Sequence, residues 1–106
     1  MAGMIIPRYN LIFTYDIERD REEAYYRFTL SEFVPAMQGM GLYLFRAWHT
    51  AYGDYPDRQS EFVAEDLETI QKALASDAFQ EIEDRLLDYV TNYHRKILAF
   101  SDRFQM

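Results

Sequence analysis

Hydrophobicity in this chain runs with a period of two residues, switches to the period of a helix, and repeats that exchange. From Ile5 to Ile17 the odd positions read Ile5, Pro7, Tyr9, Leu11, Phe13, Tyr15 and Ile17, which predicts a strand with Pro7 near its start. Its other face, with Ile12 and Thr14, is only half polar. Tyr26, Leu30, Phe33, Val34 and Met37 then share one helical stripe. A kink or end is expected near Pro35, which lacks a backbone donor and crowds the carbonyl of Ser31. Gly39-Met40-Gly41 supplies the turn into a second strand, Leu42 to Ala51. Strict alternation would put Leu42, Leu44, Arg46, Trp48 and Thr50 on one face of it. Tyr43, Phe45, Ala47, His49 and Ala51 would take the other.

The segment Tyr52 to Arg58 is rich in turn formers and leads to a short third strand, Gln59 to Ala64. Asp66 is placed to cap a second helix along Leu67, Ile70, Leu74, Ala78, Ile82 and Leu86. Ser76-Asp77 reads as an internal cap, so a break is expected near Ala75. Tyr93 to Ser101 is the last strand. The order βαββαβ is that of a ferredoxin-like split unit. The fold class expected is therefore α+β, a four-stranded antiparallel sheet with two helices on one face, as one domain over residues 4–104. Two helices cover one sheet face only, and these strands are apolar or aromatic on both. Leu11, Phe13, Tyr43 and Phe45 are more than one helix layer covers, so a homodimer through the sheet face is expected. Which face meets the helices stays open at this point.

Composition narrows the function. The 106 residues carry a net charge of −7, which disfavours phosphate backbones and anionic membrane surfaces as partners. There is no cysteine, so disulfides, thiolate metal sites and cysteine nucleophiles are excluded. No apolar run approaches the roughly 20 residues that span a bilayer, and no signal peptide is read, so a cytoplasmic location is expected. Four glycines leave no phosphate-binding loop. Aromatics at 17% suit an interface or a pocket wall.

Three segments carry a family resemblance: Glu61-Phe62-Val63-Ala64-Glu65-Asp66-Leu67, Ala75-Ser76-Asp77-Ala78-Phe79-Gln80 and Arg95-Lys96-Ile97-Leu98. With Phe33-Val34-Pro35 before its glycine turn, the chain resembles the dimeric α+β barrel superfamily. That group includes antibiotic-biosynthesis-type monooxygenases, haem-degrading enzymes, EthD-like and NIPSNAP-like proteins, and the local similarity is to the NIPSNAP-like branch. The resemblance implies a dimeric barrel and a small-molecule pocket between sheet and helices. It does not choose an activity, because one fold serves many.

The haem degraders of that superfamily use an Asn on the first strand, a Trp on a sheet strand and a His on a helix. Asn10 and Trp48 echo the first two. Trp48 comes too early in the chain, however, and His49 and His94 both fall on predicted strands, so no haem and no other cofactor is expected. The best residues for a small pocket are His49, Arg46 and Tyr52 as catalytic candidates, with Asn10, Tyr26, Trp48, His49 and His94 as ligand contacts. The blander account makes both histidines half-buried strand residues and Trp48 a packing anchor. Glu81, Asp84 and Asp88 share a helical side, but a lone helix face rarely encloses an ion, so no metal is expected. The Tyr52–Arg58 loop either closes a pocket across a dimer, through Asp54 and Arg58, or is a hairpin shaped by Gly53 and Pro56. The favoured reading is a homodimeric protein that binds a small apolar or aromatic molecule in a sheet–helix pocket. A cofactor-independent monooxygenase or other small-molecule enzyme is one alternative, and a non-catalytic interaction protein another.

Overall fold

Strand β1 (Tyr9–Ile17) sits between β3 (Arg58–Ala64) and β4 (Val90–Ala99), and β2 (Tyr43–His49) lies outside β3. All three pairings are antiparallel. The computed structural model describes residues 6–49 and 58–99. Of the expected loop from Tyr52 to Arg58, residues 52–57 lie outside the described residues, and Arg58 instead opens β3. A 3-10 turn (Arg19–Arg21), α1 (Glu22–Phe28), a π-helical segment (Thr29–Phe33) and α2 (Val34–Gly39) connect β1 to β2. Helices α3 (Leu67–Ala75) and α4 (Asp77–Leu86) connect β3 to β4. This is the ferredoxin-like α+β fold that the periodicity predicts.

The open question of faces is resolved in β1. Leu11, Phe13, Tyr15 and Ile17 point into the core with Phe62 and Ala64 of β3, and the helices bring Tyr25, Phe28, Phe33, Met37, Ile70 and Phe79 onto them. The Phe13 ring meets Phe33 and Phe62 edge-on at 5.7 and 5.8 Å and stacks on Phe79 at 6.4 Å. The alternate residues Asn10, Ile12 and Thr14 therefore face away from the helices.

Three local irregularities shift the expected pattern. The first helical unit does not end at Pro35; it passes through a π turn in which the Val34 amide donates to the Thr29 carbonyl, five residues back. The extra residue rotates the stripe, so Tyr25, Phe28, Phe33 and Met37 are buried while Tyr26 and Leu30 of the expected stripe are exposed. In β2 the register slips between Leu44 and Arg46, a bulge that sets Phe45 and Arg46 together opposite Glu61 and breaks the strict alternation. In β4 a second slip accompanies Asn92, whose φ of 54° an asparagine tolerates better than most residues. The break near Ala75 forms as expected. Ser76 ends α3 and caps α4, its hydroxyl accepting from the Phe79 amide at 3.1 Å.

Candidate functional site

Strand register places twelve side chains on the sheet face that the helices leave open, in three rows of four. Tyr43, Val63, Asn10 and Leu98 form one row, Arg46, Glu61, Ile12 and Lys96 the next, and Trp48, Gln59, Thr14 and His94 the third. The middle of this face is polar and tightly bonded. Glu61 is 0% exposed; its Oε1 accepts from Asn10 Nδ2 at 2.9 Å and from Arg46 Nε at 3.3 Å, and its Oε2 from Gln59 Nε2 at 3.2 Å. A carboxylate taken out of water keeps its charge only where such donors replace its hydration. The Arg46 guanidinium also lies over the rings of Phe45 and Trp48, at 5.1 and 5.2 Å. Asn10 Oδ1 is buried with no hydrogen-bond partner.

Apolar groups flank that cluster. Ile12 and Val63 are buried, whereas Trp48, Phe45 and Leu98 are 39%, 42% and 38% exposed. Beside the cluster lies a recess of about 190 Å³ lined by Ile12, Thr14, His94, Arg95 and Lys96.

The other side of the sheet differs from the expected pocket. Phe13, Phe33, Phe62 and Phe79, each at most 2% exposed, fill the space between sheet and helices. One polar group interrupts this packing. The Tyr15 and Tyr25 hydroxyls are 2.6 Å apart, and Ser60 Oγ lies 3.5 Å from the Tyr15 hydroxyl. Burial, with Tyr25 close by, pushes the Tyr15 hydroxyl well above the usual tyrosine range. The Arg58 guanidinium, across the strands from Tyr15, lies over the Tyr26 ring at 5.5 Å. On β4, Tyr93 donates to Glu83 at 2.6 Å and Arg95 pairs with it at 3.0 Å, fastening the edge strand to α4.

The residues singled out from the sequence do not share one pocket. Asn10, Arg46, Trp48 and His94 come together on the open face. Tyr26 lies across the sheet from them, on the helix side. That separation follows from alternation: Asn10 is an even position of a strand whose odd positions meet the helices. His49, the last residue of β2, pairs through its backbone with Arg58 of β3, and its side chain, like Tyr52 and Asp54, lies outside the described residues. Glu81, Asp84 and Asp88 are exposed, and no group of three metal-binding side chains occurs among the described residues. No described helix is long and apolar enough to cross a membrane. Sequence reasoning missed Glu61 and Gln59 as members of a cluster. The signal available was a carboxylate inside an apolar strand, between Ser60 and Phe62. The grouping of Tyr15, Tyr25, Ser60 and Arg58 had no such signal, because it depends on register.

Protein-family models give no match to this chain. Curated protein sequences give none either. Solved structures do match. A NIPSNAP family protein from Agrobacterium tumefaciens strain C58 superimposes with a TM-score of 0.68 at 16% identity, over 99% of this chain and 95% of its own. An EthD family protein from Bacillus halodurans gives 0.67 at 15% identity, over 86% and 96%. A protein from Bacteroides fragilis, described as dimeric, of unknown function and ferredoxin-like in fold, gives 0.58 at 8% identity, over 92% and 100%. At these identities the likeness speaks for the fold alone. Placed beside the strand order and the single helix layer, it shows that the chain has the ferredoxin-like α+β fold, similar to that of these NIPSNAP and EthD family structures.

Proposed function

We propose that the chain works as a homodimer in which the open sheet faces of two copies meet, and that the recess over Ile12 holds a small molecule with an apolar or aromatic body. The observation that carries this reading is the face itself. Trp48, Phe45 and Leu98 stand exposed around a cluster already desolvated at Glu61, on a sheet covered by helices on one side only. A surface of that composition gains free energy when a second apolar surface displaces its water. A twofold axis offers the same patch to itself, so one chain suffices to cover it. The Bacteroides protein of similar fold is described as dimeric, which supports a homodimer here.

On this reading residues 4–104 act as one domain, and Asn10, Arg46, Trp48 and His94 serve the interface and the recess. Ile12 floors the recess, with the Thr14 hydroxyl, His94 and Lys96 as polar contacts at its edge. The packed phenylalanines favour this face over a pocket between sheet and helices. Native mass spectrometry under gentle conditions tests both parts. A dimer carrying a reproducible added mass, lost in Thr14→Trp, supports the reading. A dimer that stays intact in both Phe45→Glu and Leu98→Asp refutes the assignment of the face.

A further inference from the structure

We propose that the recess over Ile12 is built for a small organic acid, with the carboxylate held by Lys96, His94 and Thr14 and the apolar body laid on Ile12. This rests on the reading that the open face holds a ligand, and it names that ligand's charge. Register fixes the arrangement. Ile12 of β1 stands opposite Lys96 of β4, and Thr14 stands opposite His94. Paired side chains on one face lie roughly 4.5–5.5 Å apart at Cβ, and the next pair follows roughly 6.4–6.8 Å along the strand. A carboxylate seated between the two pairs is within reach of the Lys96 ammonium, a His94 ring N–H and the Thr14 hydroxyl.

Charge selects an anion. The chain has 18 acidic residues against 11 Lys and Arg, yet the described lining of the recess holds His94, Arg95 and Lys96 and no acid. Asp16, the next acid along that face of β1, lies beyond the register shift and does not line the recess. The Arg95 guanidinium is turned to the helix side, on Glu83 at 3.0 Å and over the Phe79 ring at 5.4 Å. Glu61, the acid nearest in the register, is taken by Arg46 at 3.3 Å. Among the described residues no carboxylate pairs with Lys96, whereas Lys72 and four arginines each have one.

The dimeric arrangement sharpens the need. Lys96 lies on the face that a second copy covers, and an ammonium that loses water without gaining a partner is costly. A bound carboxylate offsets that cost. The size of the ligand follows from the recess, whose 190 Å³ falls below the roughly 300–1,000 Å³ of sites for drug-sized molecules. The acid therefore carries one ring or a short chain, resting on the buried Ile12 side chain.

Benzoate is the probe, with benzamide as its uncharged analogue and acetate as the charge without the ring. Binding is read on the intact protein by the NMR signals of Ile12, Thr14, His94 and Lys96. Benzoate should shift them saturably, and benzamide should bind about tenfold or more weaker, the loss expected when a hydrogen bond to a charged group is removed. Lys96→Met, which keeps the apolar stem, should bring benzoate down to the level of benzamide, while Lys96→Arg should keep benzoate ahead. Equal affinity for benzoate and benzamide overturns the acid but leaves a ligand in the recess. A response that acetate or chloride matches at the same ionic strength also overturns it. No shift from either aromatic probe in the folded dimer, up to tens of millimolar, overturns this proposal together with the ligand half of the reading it rests on.

Discussion

Replacing Arg46 by methionine separates the buried carboxylate of Glu61 from its cation while leaving much of the local packing. In the native protein the Glu61 side chain is 0% exposed and the Arg46 side chain 43% exposed, with 3.3 Å between Nε and Oε1. Removing one partner of a fully buried ion pair costs about 3–5 kcal/mol. Solvent reaches Arg46, so its charge is partly screened, and the amides of Asn10 and Gln59 still hold the carboxylate. Methionine keeps an apolar stem against Phe45 and Trp48. The net loss expected is therefore about 2 kcal/mol. Adding Glu61→Gln to the same protein removes the charge that needed a partner. The double variant should then lose about 1 kcal/mol less than the sum of the single losses. Urea unfolding at pH 7 reads both quantities, at one fixed protomer concentration because dimerisation contributes by mass action. A loss below about 0.5 kcal/mol for Arg46→Met, or strict additivity in the cycle, refutes the view that this pair is coupled and desolvated.

Phe13→Ala should cost about 3–5 kcal/mol, since the ring is fully buried among Phe33, Phe62 and Phe79; denaturant unfolding with an unchanged m-value checks it. Ser76→Ala removes the cap that joins α3 to α4 and should cost about 1 kcal/mol, seen as a lower thermal midpoint. Alkaline pH should weaken the fold through Tyr15. Its folded hydroxyl holds its proton far above the unfolded value near 10, so this contribution is complete below pH about 10 and declines as pH rises beyond it. Stability profiles from pH 9 to 12 should fall by at most about 1.4 kcal/mol per unit from this residue, and Tyr15→Phe should flatten that share.

Much of the fold was legible because its signals are local. The alternation in β1, the helical stripe from Leu67 to Leu86 and the Ser76-Asp77 step each state a conformation within a few residues. Two things were not legible for the same reason. The π turn before Pro35 changes the phase of the first helical unit by one residue, so Tyr25 rather than Tyr26 enters the core. The bulge at Phe45 puts that ring on the same side as Arg46, which strict alternation forbids. Both are single-residue insertions into a period, and a period read from sequence has no means of marking them. The candidate sites suffered more. Asn10, Arg46, Trp48 and His94 were chosen for their chemistry and do share a face, but their fixed centre is Glu61. That residue looks like one more acid in a chain with 18 of them until β1, β2 and β3 are set in register.

The central claim is that the open sheet face belongs to a second copy of the chain, and sedimentation equilibrium of the wild-type protein tests it most directly. A species of twice the 12.7 kDa chain mass is expected at micromolar concentration, reduced to one chain mass by Phe45→Glu in a protein that remains folded. A wild-type protein that sediments at a single chain mass across that range, with Trp48 and Phe45 left in water, contradicts it.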